Sequence, residues 1–290
     1  MSAFPKYTLR GLEGRRIITG SDSRLVVVEG KSDVEVYSRF IDDPTRIYPV
    51  EDIANTARNN RRAIVSLSEA YPHHSFIVDE DMESLISDND AIKLPDNLAT
   101  TFELNDIECW AFQALEIGGG LSSLELIEED IALAINLSMG FGILRIITKE
   151  KLTEDEETRW KINFGGEKGV KRQLIRDSPK LQSDTDIVDL VIRIYRQGNG
   201  ISAKRWQDKF RKRKRNAGTN DFWSMIGGHD LCFFLYYVSS QRKGREITNS
   251  GLRRFEASLR RESIKERYRK FWSGLMNGKV GHILGVDRQT

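Results

Sequence analysis

The chain has few means of cross-linking itself and little suited to crossing a membrane. Its 290 residues hold two cysteines, Cys109 and Cys232, without CxxC spacing, which excludes a disulfide framework and a cysteine-ligated structural zinc. Both thiols are expected in the core. No window approaches the run of about 18 apolar residues that a membrane span requires, and the N-terminal MSAFPKYTLRGLEGRR lacks the apolar centre of a secretory signal. No membrane association is expected, and a cytoplasmic location. Neither a repeat period nor a long linker is visible. What is present, 39% hydrophobic residues at a mean hydropathy of −0.47, suffices for one large domain or two modest ones.

The formal net charge of +2 conceals an asymmetry. Residues 1–200 hold 24 Lys and Arg against 35 Asp and Glu, whereas residues 201–290 hold 21 against 8. A cationic segment on an acidic body points to a polyanionic partner, with nucleic acid first. The alternative is a basic face docked on the acidic part or on an acidic partner protein.

Between Arg24 and about Glu108, short apolar runs alternate with helical patterns, the mark of an α/β fold with a parallel sheet. Strands are expected at Leu25–Val28, in RIYPVED and in SFIVDED, with helices through SDVEVYSRFID, capped by Ser32, and through NTARNNRRAIVSLSEAY. LATTFELNDIECWAF adds a strand that passes into a helix. This makes a Rossmann-like unit over residues 20–115. Residues 116–290 read as a mainly helical, C-terminally basic region. There LSSLELIEEDIALAINLSMGFGILRII is helical up to Gly140, KLTEDEETRWKINFGG is extended, and 183–198, 203–215, 229–240 and 252–272 are helical. Leu252, Phe255, Leu259, Ile264, Tyr268 and Phe271 form one apolar stripe along the last of these.

In an open parallel sheet, ligands gather at the carboxyl ends of the strands. Glu29 ends the first strand, Gly30 permits a sharp turn, and Asp33 falls in the first turn of the next helix. Asp79 and Asp81 follow the third strand, and an extended chain turns both carboxylates to one side. Four acids meeting at one edge call for a cation, and hard oxygen ligands select Mg²⁺ or Mn²⁺. Separately, Asp33 also reads as a helix cap or dipole contact, and Asp-Glu-Asp as a solvated turn.

VVVEGKSDVEVY followed by FIVDEDMES resembles the Toprim domain of topoisomerases, DnaG-type primases, the small 5S ribosomal RNA maturase and OLD-type nucleases. Its pattern of a strand-ending Glu-Gly, a downstream Asp and a later Asp-x-Asp is matched here by Glu29, Gly30, Asp33, Asp79 and Asp81. The likeness covers roughly residues 22–110. TFELNDIECWAF, GILRII around Arg145 and GGHDLCFFL from Gly227 are similar to the Toprim effectors of the PARIS anti-phage defence system. That resemblance implies a metal-dependent nuclease cleaving RNA, with tRNA the expected substrate, held inactive by an ATPase of the ABC/AAA class. It implies Glu29, Asp79 and Asp81 as ligands of Mg²⁺ or Mn²⁺, with Asp33 assisting. Glu108 matches the additional acid of OLD-type nucleases and equally reads as a first-turn helical acid. Lys31 could meet the phosphate or stand as an exposed loop lysine. A homodimer is compatible with release from an ATPase assembly.

The densest cationic run is KRWQDKFRKRKRN. Lys204, Arg205, Lys209, Arg211, Lys212, Arg213, Lys214 and Arg215 surround Trp206 and Phe210, which share a helix face. The cations suit phosphates, while the aromatics anchor the helix or stack on an unpaired base. FGGEKG lacks Walker spacing and reads as a hairpin turn. His229 and Asp230 open an apolar helix as a cap or as a catalytic dyad, with the cap favoured. His73 and His74, neighbours before a strand, receive no assignment. A topoisomerase needs a tyrosine domain and more chain, and a primase needs zinc modules. A noncatalytic Toprim-like binding module and a DNA-cleaving OLD-like nuclease stay open.

Overall fold

A computed structural model describes residues 7–18, 24–54, 60–79, 95–101, 106–149, 169–195, 203–216, 223–276 and 278–284. The fold is α/β, mostly helical, with one small all-parallel sheet. Packing divides the chain into two units. The first comprises residues 1–80, 91–102 and 263–290, and the second 81–90 and 103–262. The sequence reading cut the chain at 115 and ran the helical region to its end, whereas the division by packing returns the last 28 residues to the sheet unit.

The first unit opens with α1 (Leu9–Ile18), then β1 (Val26–Val28), α2 (Lys31–Tyr37), β2 (Ile47–Pro49), α3 (Asn60–Ala70), β3 (Ser75–Val78) and β4 (Leu98–Thr100). The strands lie in the order β2-β1-β3-β4, with Val26 opposite Ile47 on one side and Ser75 on the other. Parallel neighbours cannot be joined by a hairpin, so α2 and α3 carry the chain back between strands. Val26, Val27 and Val28 are all buried, which is why β1 is an unbroken β-branched run rather than an alternating one. Leu25, Val27, Phe76, Val78 and Leu98 share a core with Leu9 and Leu12 of α1.

Helices α11 (Glu266–Leu275) and α12 (Lys279–Leu284) complete this unit. Trp272 is fully buried 5.5 Å from the Phe40 ring and donates its indole N–H to the Ser263 carbonyl at 2.8 Å. The stripe read as one helix over 252–272 is therefore two: α10 (Asn249–Ser263) stops, Lys265 is extended at φ −62°, ψ 147°, and α11 starts anew.

The second unit holds α4 (Ile107–Ile117), α5 (Glu128–Lys149), α6 (Val170–Asp177), α7 (Asp184–Tyr195), α8 (Ala203–Asn216), α9 (Gly228–Arg242) and α10. α5 packs along α7 and α9, with Phe141 edge-on to Phe234 at 5.5 Å. It does not stop at Gly140 as expected from the sequence. A Cβ at Gly140 would lie 2.7 Å from the Asp184 Cβ, so this glycine permits close approach of α7 instead of ending the helix. α5 also corrects the hydropathy reading, because Glu128–Thr148 has the length and apolarity to cross a membrane, at mean hydropathy 1.8. In the fold, 56% of its most apolar 18-residue window is buried within the protein. The extended segment expected at KLTEDEETRWKINFGG lies outside the described residues.

Candidate functional site

Glu29 follows β1 and Asp79 follows β3, and these strands are direct neighbours in the sheet. The two acids therefore end adjacent parallel strands at one edge. The Asp79 N–H donates to Glu29 Oε2 at 3.1 Å, so the Glu29 side chain spans from its own strand end to the next. The start of α3 fixes both ends from outside: Asn60 donates to the Glu29 carbonyl at 2.9 Å and Arg61 to the Asp79 carbonyl at 2.6 Å. Both acids keep partial exposure. Hard oxygens held by backbone anchors at a partly open strand edge have the chemistry to ligate a small divalent cation.

Asp33 occupies the third position of α2 and is buried. Its Oδ2 accepts the Gly30 N–H at 2.8 Å and its Oδ1 the Ser32 hydroxyl at 3.2 Å. Asp33 thus performs the capping role considered for it, and the N-cap is Gly30 rather than Ser32. The chain bends at Gly30 as expected, but the bend does not require glycine. The Gly30 φ of −142° and ψ of 173° are extended backbone, and a Cβ there would meet its nearest neighbour, Ser32 Oγ, at an ordinary 3.5 Å. Lys31, on the exposed surface, pairs with Glu51 at 2.8 Å, and its hydrogen bond to that carboxylate raises the ammonium pKa. Asp81 lies outside the described residues. Among the described residues, one group of three metal-ligating side chains closes within 4.8 Å, and it is Glu13, His73 and His74 rather than the acids.

Glu108 belongs to the second unit. It is 2% exposed and its Oε1 accepts from the largely buried Arg260 at 2.6 Å. Two residues earlier, Asp106 caps its own helix through the Cys109 N–H at 3.1 Å and also accepts the Gly228 N–H at the start of α9. One carboxylate thus starts two helices. A Cβ at Gly228 would fall 1.8 Å from Asp106 Oδ1, so the second cap requires glycine. Burial, then the Glu108 charge, pushes the Asp106 carboxyl pKa up.

Neither His229 nor Asp230 caps α9, whose N-cap is Gly227 without a side-chain bond. Asp230 is buried and forms ion pairs with Lys171 at 2.6 Å and Arg145 at 2.8 Å, and its Oδ1 accepts from Arg145 Nη2 at 3.0 Å. Burial opposes its ionisation, but the two cations prevail and its pKa is lowered. His229 faces Glu256 at 3.4 Å, and this hydrogen bond, then Glu108, favours the imidazolium. The favoured cap reading is corrected, and the two side chains face different partners.

In α8, Trp206 and Phe210 are buried, so they anchor the helix as one of the two readings held. Lys204, Arg205, Arg211, Lys212, Lys214 and Arg215 are exposed and Arg213 is partly so. Lys214 has a structural role that the sequence did not reveal, an ion pair with the buried Asp184 of α7. The structural roles of Asp106, which belongs to the resembling stretch TFELNDIECWAF, and of Asp184 and Arg260 escaped sequence reading because their partners lie 30 to 152 residues away. Comparison of the chain with protein-family models, with curated proteins and with solved structures finds no match.

Proposed function

We propose that the acidic sheet edge binds Mg²⁺ or Mn²⁺ and that the chain is a metal-dependent endonuclease of the Toprim kind, with a Rossmann-like Toprim domain. The observation that supports this reading most is the position of Glu29 and Asp79, which end adjacent parallel strands and are joined by a hydrogen bond from the Asp79 amide to the Glu29 carboxylate. Their donor set fits a hard divalent ion. Glu29 and Asp79 would hold it, with Asp81 as a third ligand. Bound there, the ion would polarise a phosphodiester and lower the pKa of an attacking water. Asp33 shapes the turn beside Glu29 through its bonds to Gly30 and Ser32. Glu108, paired with Arg260, serves the helical unit.

RNA is the proposed substrate, tRNA in particular, and an ABC/AAA-class ATPase the proposed restraint within anti-phage defence; both rest on the Toprim-effector resemblance. The exposed cations of α8 supply phosphate contacts, with Lys204, Arg205, Arg211, Lys212 and Arg215 the best placed by exposure. The experiment is RNA sequencing from cells expressing the chain beside its Glu29→Ala form, paired with in vitro cleavage in Mg²⁺. Site-specific breaks that need both Glu29 and the metal are the expected result. Binding without cleavage would favour the noncatalytic module, and breaks in DNA alone the OLD-like nuclease.

A further inference from the structure

The edge of the sheet where the strands begin carries a different chemistry from the edge where they end. His74 immediately precedes β3, and Glu13 projects from α1. We propose that Glu13, His73 and His74 form a binding site for a divalent cation of the zinc class, which ties α1 to the start of β3. One ligand atom from each of the three lies within 4.8 Å of the other two, and His73 Nε2 stands 3.0 Å from Glu13 Oε1. Small side-chain shifts bring three such atoms onto one ion at ordinary ligand distances. Two imidazoles and one carboxylate select Zn²⁺, Co²⁺ or Ni²⁺ over Mg²⁺.

His74 supplies the second, independent sign. It is 1% exposed, and its Nε2 is sealed from solvent without a hydrogen-bond partner. A buried imidazole nitrogen left in that state is costly unless something meets it. Its Nδ1 faces the Leu25 N–H at 3.4 Å, a long and weak contact. Moving the ring proton from Nε2 to Nδ1 gives Nε2 a lone pair for the ion and sacrifices only that contact. The Glu13 carboxylate offsets part of the ion's charge. The site borders a cavity of about 410 Å³ that His73 and His74 line together with Asp42, Asp96, Lys279 and His282, leaving room for a water to complete the coordination.

The consequence is mechanical. α1 is attached to the core through Leu9 and Leu12, and the ion adds a polar clasp at its middle turn.

The test uses the full chain, stripped with chelator and titrated with ZnCl₂, with CoCl₂ as a spectroscopic reporter. One equivalent should bind, and the melting temperature should rise by several degrees at about 100 times the dissociation constant. Glu13→Gln combined with His73→Gln alters the two more exposed ligands and spares the buried one. This double variant should bind more than about 100-fold more weakly and lose the cobalt ligand-field band. Glu29→Gln and His282→Gln should bind zinc as the unaltered chain does. Absence of saturable binding, equal binding by the double variant, or loss of binding in Glu29→Gln or His282→Gln would each overturn the proposal. Because the zinc readout in Glu29→Gln is independent of Mg²⁺-dependent cleavage, failure here is distinguishable from failure of the nuclease reading.

Discussion

The two acids that end strands of the sheet and the buried acids of the helical unit are treated in opposite ways. Asp230 and Glu108 are each 2% exposed and held within 3 Å of guanidinium or ammonium groups. Glu29 and Asp79 stand partly exposed at a strand edge, with Glu29 accepting a backbone amide and the chain on either side pinned by α3. A buried charge matched by fixed cations is committed to the fold, because nothing else can stabilise it there. A carboxylate at an open edge retains access to an ion from solution. The difference separates carboxylates that hold the protein together from those that can be exchanged for chemistry.

The comparison is broken most strongly at Asp230. Asp230→Ala leaves Arg145 and Lys171 without the carboxylate they share and should cost about 3–5 kcal/mol in denaturant unfolding. Gly228→Ala comes next. Its Cβ cannot coexist with Asp106 at 1.8 Å, so the α9 cap must open, at about 1–3 kcal/mol despite the better helix propensity of alanine. The titration of Asp106 sharpens the contrast within the buried set. Its folded pKa is raised, so the folded state keeps a proton that the unfolded chain releases, and stability should fall as pH rises from about 4 towards about 7 and then level off. Asp106→Asn should flatten that slope. Asp230, with its pKa lowered, works in the other direction, contributing stability that is lost as pH falls through its folded value. The smallest effect belongs to the sheet edge: Glu29→Gln should change stability by less than about 1 kcal/mol, since the amide oxygen still accepts the Asp79 N–H. The same variant should lose any rise in melting temperature caused by Mg²⁺ or Mn²⁺.

The strands were legible because VVV, IYP, SFIV and LAT are short apolar runs bounded by polar residues, and burial on both faces enforces that pattern. From it the adjacency of Glu29 and Asp79 could be anticipated. Helix α1 was not legible, since LRGLEGRRII carries two glycines and presents only Leu9, Leu12 and Arg16 to the interior. Gly140 misled for a physical reason: glycine ends helices by its freedom at positive φ, but it also admits a neighbouring backbone, and sequence alone does not separate the two uses. The tripartite group of Glu13, His73 and His74 was hidden by the 60-residue gap between the first and second of its members. Adjacent histidines gave no metal-binding spacing by themselves.

Asp106 reaches across 122 residues to start α9 as well as α4. The bond to Gly228, unlike the local one to the Cys109 N–H, cannot guide the early growth of α9, because closing so long a loop is entropically slow and must wait until the intervening chain has condensed. Its stabilisation therefore falls mainly after the rate-limiting step of folding. Weakening it should leave refolding rates nearly unchanged while hastening unfolding, so this single carboxylate acts as a latch that governs the lifetime of the helical unit more than its formation.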